Sequence, residues 1–239
     1  MLDQTMKVFR HRARVVAYAI PALRRLVENS KKQLNPEENF TFWNDELSSG
    51  GFSSYIEDTM TVGGAYSATA LLIKHHAVAC PTILDVACGS GHLVGKLTAF
   101  KHYTGTDVSS VAIERARRVV MDAFPDRHTD LSFEAADLRS FQPASALDVL
   151  IFNEVLYFLN VDQAGSEVIR YAESLTKSGI IIISMKDDGK SRAIFRSLQD
   201  SFKWIDGVLW QQKPKNFDFS VRVNRESPGF LVGALRKRK

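Results

Sequence analysis

The sequence predicts an α/β fold: a seven-stranded, mostly parallel sheet with an antiparallel last strand, helices on both faces, and an N-terminal helical extension. Three observations carry this. From about residue 82 onward, short apolar runs alternate with amphipathic ones, the pattern of strands joined by crossover helices. A glycine-rich break, Gly89-Ser90-Gly91, falls directly after the first apolar run. The last two strand-like runs follow one another without a long helix between them, which an antiparallel pair permits. A chain of 239 residues, 45% hydrophobic, suffices for one such domain and an appendage.

Candidate strands are 82–86, 102–107, 131–135, 147–153, 179–185, 203–212 and 229–235, with helices near 92–99, 110–123, 161–176 and 190–201. Ile83, Leu84 and Val86 form the first strand, which carries Asp85 near its end and enters the glycine turn. A strand, a tight glycine turn and a helix N-terminus together present backbone N–H groups and a positive dipole end to a ligand. The second strand ends at Asp107, and Ser109 or Ser110 caps the following helix. The third ends just before Asp137-Leu138. The fourth, Leu147 to Phe152, is apolar on both faces and then meets the polar pair Asn153-Glu154. Ser178-Gly179 marks a helix stop before Ile180–Ile183, the fifth strand. Lys213–Arg225 reads as the loop between the last two strands.

Ahead of this pattern, residues 5–33 place Val8, Val15, Ala19, Leu23 and Leu26 at helical spacing, interrupted by Pro21. A new segment starts at Asn35-Pro36-Glu37-Glu38, and a further helix is expected from Tyr66 to about Ala79. The organisation expected is an N-terminal helical extension or lid over 1–79, a main domain over 80–236 and a basic tail over 237–239.

The stretch Ile83-Leu-Asp-Val-Ala-Cys-Gly-Ser-Gly-His-Leu93 resembles motif I of the class I, Rossmann-like S-adenosylmethionine (SAM) methyltransferases, with Ala87 in place of the first glycine and Gly89 and Gly91 retained. A nicotinamide-type Gly-x-Gly-x-x-Gly loop fits less well, because the next glycine, Gly95, comes one residue late. The resemblance implies SAM as cofactor. It makes Ala87, Gly89, Ser90 and Gly91 the bend that the cofactor approaches and Asp85 the indirect partner of its methionine amino group, with Asp107 on the ribose hydroxyls and Val108 on the adenine. Asp137 would take the adenine amine, with the neighbouring Leu138 at the same edge. Asn153 would meet the methionine amino group or the acceptor. Asn153-Glu-Val-Leu-Tyr157 is similar to small-molecule methyltransferases, among them the nodulation N-methyltransferases that act on chitooligosaccharides. The Asn/Asp-Pro-Pro-Tyr signature of enzymes acting on adenine or glutamine amino groups is absent.

The net charge of +4 hides an asymmetry. Residues 1–35 hold eight Lys/Arg against Asp3 and Glu28, and Arg236–Lys239 adds four more; without these the totals of 31 basic and 27 acidic residues become 19 and 25. A basic, partly amphipathic stretch over 5–33 suits peripheral contact with an anionic membrane. Nothing resembles a base-reading module, so a nucleic acid partner is not expected. Two cysteines, Cys80 and Cys88, without metal-ligand spacing fit a reducing, cytoplasmic setting. Val15–Leu23 is too short to span a bilayer, and Arg24-Arg25 follows it where a signal peptide would carry small residues.

Methyl transfer from a sulfonium requires an aligned acceptor lone pair, and a hydroxyl acceptor needs a base. Glu154, Tyr157 and His92 are the catalytic candidates; Asp187, Asp188, Lys186, Arg192 and His75-His76 lie at the same edge or could reach it. The Phe42, Trp43, Phe52, Tyr55 and Tyr66 aromatics are candidates for a lid. The reading is a SAM-dependent methyltransferase acting on an O or N atom of a small polar, secondary-metabolite or sugar-like acceptor, with no metal. The rivals are an RNA or protein methyltransferase recruited by the basic helix and a catalytically silent partner subunit.

Overall fold

The computed structural model describes residues 36–48, 64–143, 146–211 and 229–238. The expected basic helix over 5–33, Phe52, Tyr55 and the 213–225 loop lie outside the described residues.

Two helices come first. Helix α1 (Pro36–Ser48) starts with proline, whose fixed φ suits a first helical position, and carries Glu37 and Glu38 where the helix dipole favours negative charge. Helix α2 (Ala65–His76) buries Ala65, Tyr66, Ala68, Thr69, Leu72 and Ile73 on one stripe and places basic Lys74, His75 and His76 in its last turn. Then follow β1 (Thr82–Val86), β2 (His102–Asp107), α3 (Ser110–Ala123), β3 (Leu131–Ala135), β4 (Leu147–Asn153), α4 (Val161–Ala172), β5 (Leu175–Lys186), α5 (Gly189–Ser197), β6 (Phe202–Gln211) and β7 (Gly229–Lys237).

The seven strands form one sheet in the order β3-β2-β1-β4-β5-β7-β6. β1 to β5 are parallel, and β7 inserts antiparallel between β5 and β6. The expected antiparallel last strand is therefore present, and β6 is the edge. The chain leaves β1 toward β2 and β3 and later crosses to β4, so the strand order reverses between β1 and β4. Ligands bind beyond the carboxyl ends of the strands at such a reversal. Ile83, Tyr103, Phe133, Val149 and Ile151 bury one face together with residues of α2 and α3. Leu84, Val86, Leu150 and Phe152 bury the other with residues of α4 and α5.

Several expected elements differ; α5 ends at Ser197 instead of 201, and β7 runs to Lys237 instead of 235. The helix expected over 92–99 is a single 3-10 turn, Val94–Lys96. Gly95 lies inside it, costing about 1 kcal/mol against alanine in a helix, and Leu93, Val94, Leu97 and Phe100 are all buried around it. Strand β5 starts at Leu175, not at 179, because Leu175 pairs with Leu147 before a register shift aligns Val149 with Ile180; α4 accordingly stops at Ala172. Helix α2 ends at His76 instead of running to Ala79. Among the described residues, no helix is long and apolar enough to cross a membrane.

Candidate active site

The site is built where β1, β2 and β4 end. After β1 the chain turns through Ala87 (φ 60°), Gly89 (φ 56°) and Gly91 (φ 75°). Left-handed backbone suits glycine, which lacks the Cβ that clashes there. The two glycines serve different ends. A Cβ on Gly91 would lie 3.0 Å from the Ala116 Cβ of α3, so this position lets the turn approach the helix; a Cβ on Gly89 would meet nothing within 4 Å, so the space above it is open to a ligand.

The turn's amides are not bare. Cys88 N–H donates to the Thr106 carbonyl at 2.8 Å, Gly91 N–H to the Cys88 carbonyl at 3.1 Å, and Gly89 N–H to Asp107 Oδ2 at 3.0 Å. Asp107 Oδ1 accepts from Ser109 N–H at 2.8 Å. Among the described residues a 3-10 turn and not an α-helix follows, so the expected helix dipole end is not there, and the Cys88, Gly89 and Gly91 amides, expected to be bare, are engaged within the protein. The phosphate-cradling dinucleotide arrangement relies on a helix N-terminus and so fits this turn less well.

Asp85, 1% exposed, accepts from the Tyr103 hydroxyl at 2.6 Å through Oδ2. Its Oδ1 is buried without a hydrogen-bond partner among the described residues. Burial pushes its pKa to about 7, the Tyr103 hydrogen bond opposing and Asp107 adding to the rise. Burial likewise lifts Asp107 to about 6, against the Ser109 and Gly89 amides that bond its ionised form.

Beyond β4, Asn153 is 8% exposed. Its Oδ1 accepts from the Thr69 hydroxyl of α2 at 3.1 Å, and its Nδ2 has no partner among the described residues. Glu154 takes a left-handed φ of 54°, the strained conformation that concentrates at functional sites. Its N–H donates to the Ser184 carbonyl at 2.8 Å and its Oε1 accepts from the Ser184 hydroxyl at 3.1 Å. Burial raises Glu154 to about 7, while Lys186, Tyr157 and Ser184 pull it down. Tyr157 sits in the 3-10 turn Leu156–Phe158, with Lys186 Nζ 5.7 Å from its ring centroid. His92 is half-buried just past the glycine turn.

At the β3 end, Asp137 is clamped by Arg139, whose N–H and Nε–H reach Oδ1 at 2.8 and 2.9 Å. Burial would raise its pKa, but the Arg139 contacts and a hydrogen bond from Asn39 of α1 hold it below the ordinary carboxylate value. The Leu138 carbonyl accepts from Arg170 and the Tyr171 hydroxyl at 2.7 and 2.9 Å, which fixes the turn. Val108 follows directly on β2 and is half-buried. Ser90 is buried within the first turn.

Helix α1 bridges three of these junctions. Asn39 reaches Asp137. Asn44 Oδ1 accepts from the Ser109 hydroxyl at 2.6 Å and Val111 N–H at 3.3 Å. Trp43 packs edge-on against Phe158 at 5.2 Å. Tyr66, on the first turn of α2, is held protonated, well above its ordinary value, by burial and then by the charges of Asp85, Cys88, Glu154 and Asp107. In the sequence Tyr66 stands out only as an aromatic lid candidate, and Thr69, Asn39, Asn44, Tyr103 and Ser184 do not stand out as site residues. The one available signal was Thr69, a hydroxyl in the middle of an otherwise apolar helical stripe.

Of the predicted residues, the structure gathers Asp85, Ala87, Gly89, Ser90, Gly91, Asp107, Asn153 and Glu154 around the β1–β4 reversal. Asp187 is instead paired with Arg192, and Asp188 caps α5. His76 is bound to Asp206 of β6 at 2.8 Å, so it belongs to a packing contact. A cavity of about 740 Å³ lies against β1–β3 with Leu84, Thr104 and Glu134 in its lining; its rim reaches Asp137, but Asp85, Asp107, Asn153 and Glu154 do not line it.

The strand order and the carboxyl edge define a Rossmann-like α/β protein. A family model described as a methyltransferase domain matches residues 80–219, more than half of the chain, and the chain belongs to that family. Among curated proteins it is similar to the dTDP-3-amino-3,4,6-trideoxy-alpha-D-glucopyranose N,N-dimethyltransferase of Streptomyces venezuelae, 25% identical over 115 residues, 47% of this chain and 45% of that one. It is also similar to the trans-aconitate 2-methyltransferase of Streptomyces coelicolor, 29% identical over 137 residues, 54% of this chain and 44% of that one. The matches span less than half of the length of these two relatives. Among solved structures, the N-methyltransferase NodS of Bradyrhizobium japonicum in complex with S-adenosyl-L-homocysteine shares the fold, with a TM-score of 0.59 and 19% identity over 73% of this chain and 86% of that one.

Proposed function

We propose that this protein transfers a methyl group from SAM to an O or N atom of a small polar acceptor. The observation that carries the reading is the buried carboxyl of Asp85 and the half-buried one of Asp107 beside a glycine turn that is open above Gly89. Such a site suits an adenosyl ligand bearing positive charge. The residues present fit: Asp85 offers a buried oxygen in need of a donor, and Asn153 a buried amide in need of an acceptor.

When bound, SAM supplies an electrophilic methyl on a sulfonium. Asp85 accepts from the amino group, and Asp107, an ionised carboxylate with lone pairs beyond its two amide contacts, accepts from the ribose hydroxyls. Gly89, Ser90, Gly91 and Ala87 let the ligand lie close to backbone, while Val108 and Leu138 flank the adenine. Asp137 shares its remaining lone pairs between Arg139 and the adenine amine. Glu154, with a pKa near 7, is matched to receive the acceptor's proton. Tyr157 hydrogen-bonds that carboxyl, and His92, just past the glycine turn, is the second proton carrier.

Residues 1–79 act as the extension and lid and 80–236 as the catalytic domain; Lys237, expected in a basic tail, instead pairs with Phe202 at the end of β7. α1 supports the lid role by tying Asn39, Trp43 and Asn44 to three junctions of the carboxyl edge. The two curated relatives are named for a sugar nucleotide and a small carboxylic acid, which favours a small polar acceptor here. A thiol buried inside the turn, Cys88, suits a cytoplasmic setting.

The test is incubation with methyl-labelled SAM and separated small-molecule, glycan, RNA and protein pools. Label is expected in the small-molecule or glycan pool. Label confined to RNA or protein, or no transfer despite SAM binding, would overturn the acceptor class or the enzyme reading respectively.

A further inference from the structure

Asn153 and Asp85 carry complementary unmet needs. The strands β1 and β4 are parallel, with Asp85 opposite Ile151. Alternate residues share a face, so Asn153 lies on the same face as Asp85, two positions further along. Asp85 Oδ1 is a buried acceptor and Asn153 Nδ2 a buried donor, each without a partner among the described residues. An amide can present either its oxygen or its nitrogen. Here Thr69 decides which, because its hydroxyl donates to Asn153 Oδ1 at 3.1 Å and leaves the N–H groups for a ligand. Thr69 is fully buried on α2, so no water competes for that bond.

We infer that Thr69 is a positioning residue that fixes the Asn153 carboxamide as a donor for the carboxylate of the ligand's amino-acid end, while Asp85 takes the ammonium. The inference rests on the SAM reading and deepens it. The ligand is selected as a zwitterionic α-amino acid, so Asn153 meets the carboxylate and not the amino group that the sequence suggested. Thr69 lies outside the residues that match the glycine-turn motif, in the helix that precedes the family match.

Calorimetry with SAM and with S-adenosylmethioninamine, the same sulfonium lacking the carboxylate, tests this. The wild-type protein is expected to prefer SAM by about tenfold or more, the scale of one charge-assisted hydrogen bond. Thr69→Val should shrink that preference toward unity by letting the amide turn over, Thr69→Ser should restore it, and Asn153→Leu should abolish it. A merely structural role for Thr69 would weaken both ligands equally and leave the ratio unmoved, which would overturn the inference. Equal binding of both ligands by the wild-type protein would also overturn it while leaving the SAM site standing. If neither ligand binds, the proposed function itself fails. Circular dichroism and the unfolding midpoint identify folded variants, and Thr69→Ser, which keeps the hydroxyl, carries the test should Thr69→Val not fold.

Discussion

The two turns at the strand reversal are built on opposite principles. The turn after β1 satisfies itself: Gly89 N–H and Ser109 N–H both end on Asp107, and Cys88 N–H ends on Thr106. It leaves the space above Gly89 open and one Asp85 oxygen without a partner among the described residues. The turn after β4 does not satisfy itself: Asn153 keeps an unpartnered amide among the described residues. Each turn holds one residue with a Cβ in left-handed backbone, Ala87 at φ 60° in the first and Glu154 at φ 54° in the second. The difference is in what the strained residue carries: a methyl group in the first turn, an ionisable carboxyl in the second.

Breaking the first turn should have the largest effect. Asp107→Ala removes the acceptor shared by two backbone amides together with the proposed ribose contact. At about 1.5–3 kcal/mol for each hydrogen bond to a charged group, SAM affinity should fall by at least about a hundredfold. Titration calorimetry reads this directly, and unchanged affinity would remove Asp107 from the site.

The glycines sharpen the contrast within that turn. Gly91→Ala drives a Cβ to 3.0 Å from Ala116 and should destabilise the fold by about 1–3 kcal/mol in denaturant unfolding. Gly89→Ala meets no protein atom within 4 Å, so its stability cost should be the smaller one, about 1 kcal/mol for the backbone alone. Its main effect should be on SAM affinity. The reverse ranking of the two stabilities would contradict the assignment of packing to one glycine and ligand approach to the other.

The second turn should respond the other way. Glu154→Gly relieves the left-handed strain and removes a carboxyl that burial opposes. Stability at pH 8 is expected to rise by about 1 kcal/mol, while turnover falls. A variant that loses both stability and turnover would show that Glu154 holds the fold.

A smaller effect is the pH dependence. Asp85 in the free protein has a pKa of about 7, above its ordinary 3.8. The folded chain therefore keeps a proton that the unfolded chain releases. Stability from this group is full below about pH 4 and is lost as pH rises through about 7. A cationic ligand favours the ionised carboxyl, so binding expels the proton and SAM affinity should climb between pH 5.5 and 8 and then level. In Asp85→Asn the climb should flatten, as seen by calorimetry in buffers of different ionisation heat.

Much of this edge was legible because strand-end residues announce themselves by type. The Asp85, Asp107 and Asn153-Glu154 breaks interrupt apolar runs, and a buried strand admits polar residues only where it leaves the core. The helix after Gly91 was misread because Leu93, Val94 and Leu97 look periodic, yet the structure buries all of them around Gly95. The inward turn of the Gly89 amide depends on where the second strand's carboxylate comes to rest, which no local pattern encodes. Thr69, Asn39 and Asn44 were invisible for the same reason: each acts through a partner far away in the chain, and the shortest of these separations, Asn44 to Ser109, is 65 residues.

The decisive measurement is a crystal structure of the protein soaked with S-adenosyl-L-homocysteine. The ligand's ribose is expected on Asp107, its amino group on the free oxygen of Asp85, and its chain over Gly89. Density for the ligand anywhere else, with Asp85 and Gly89 facing only solvent, would contradict the account.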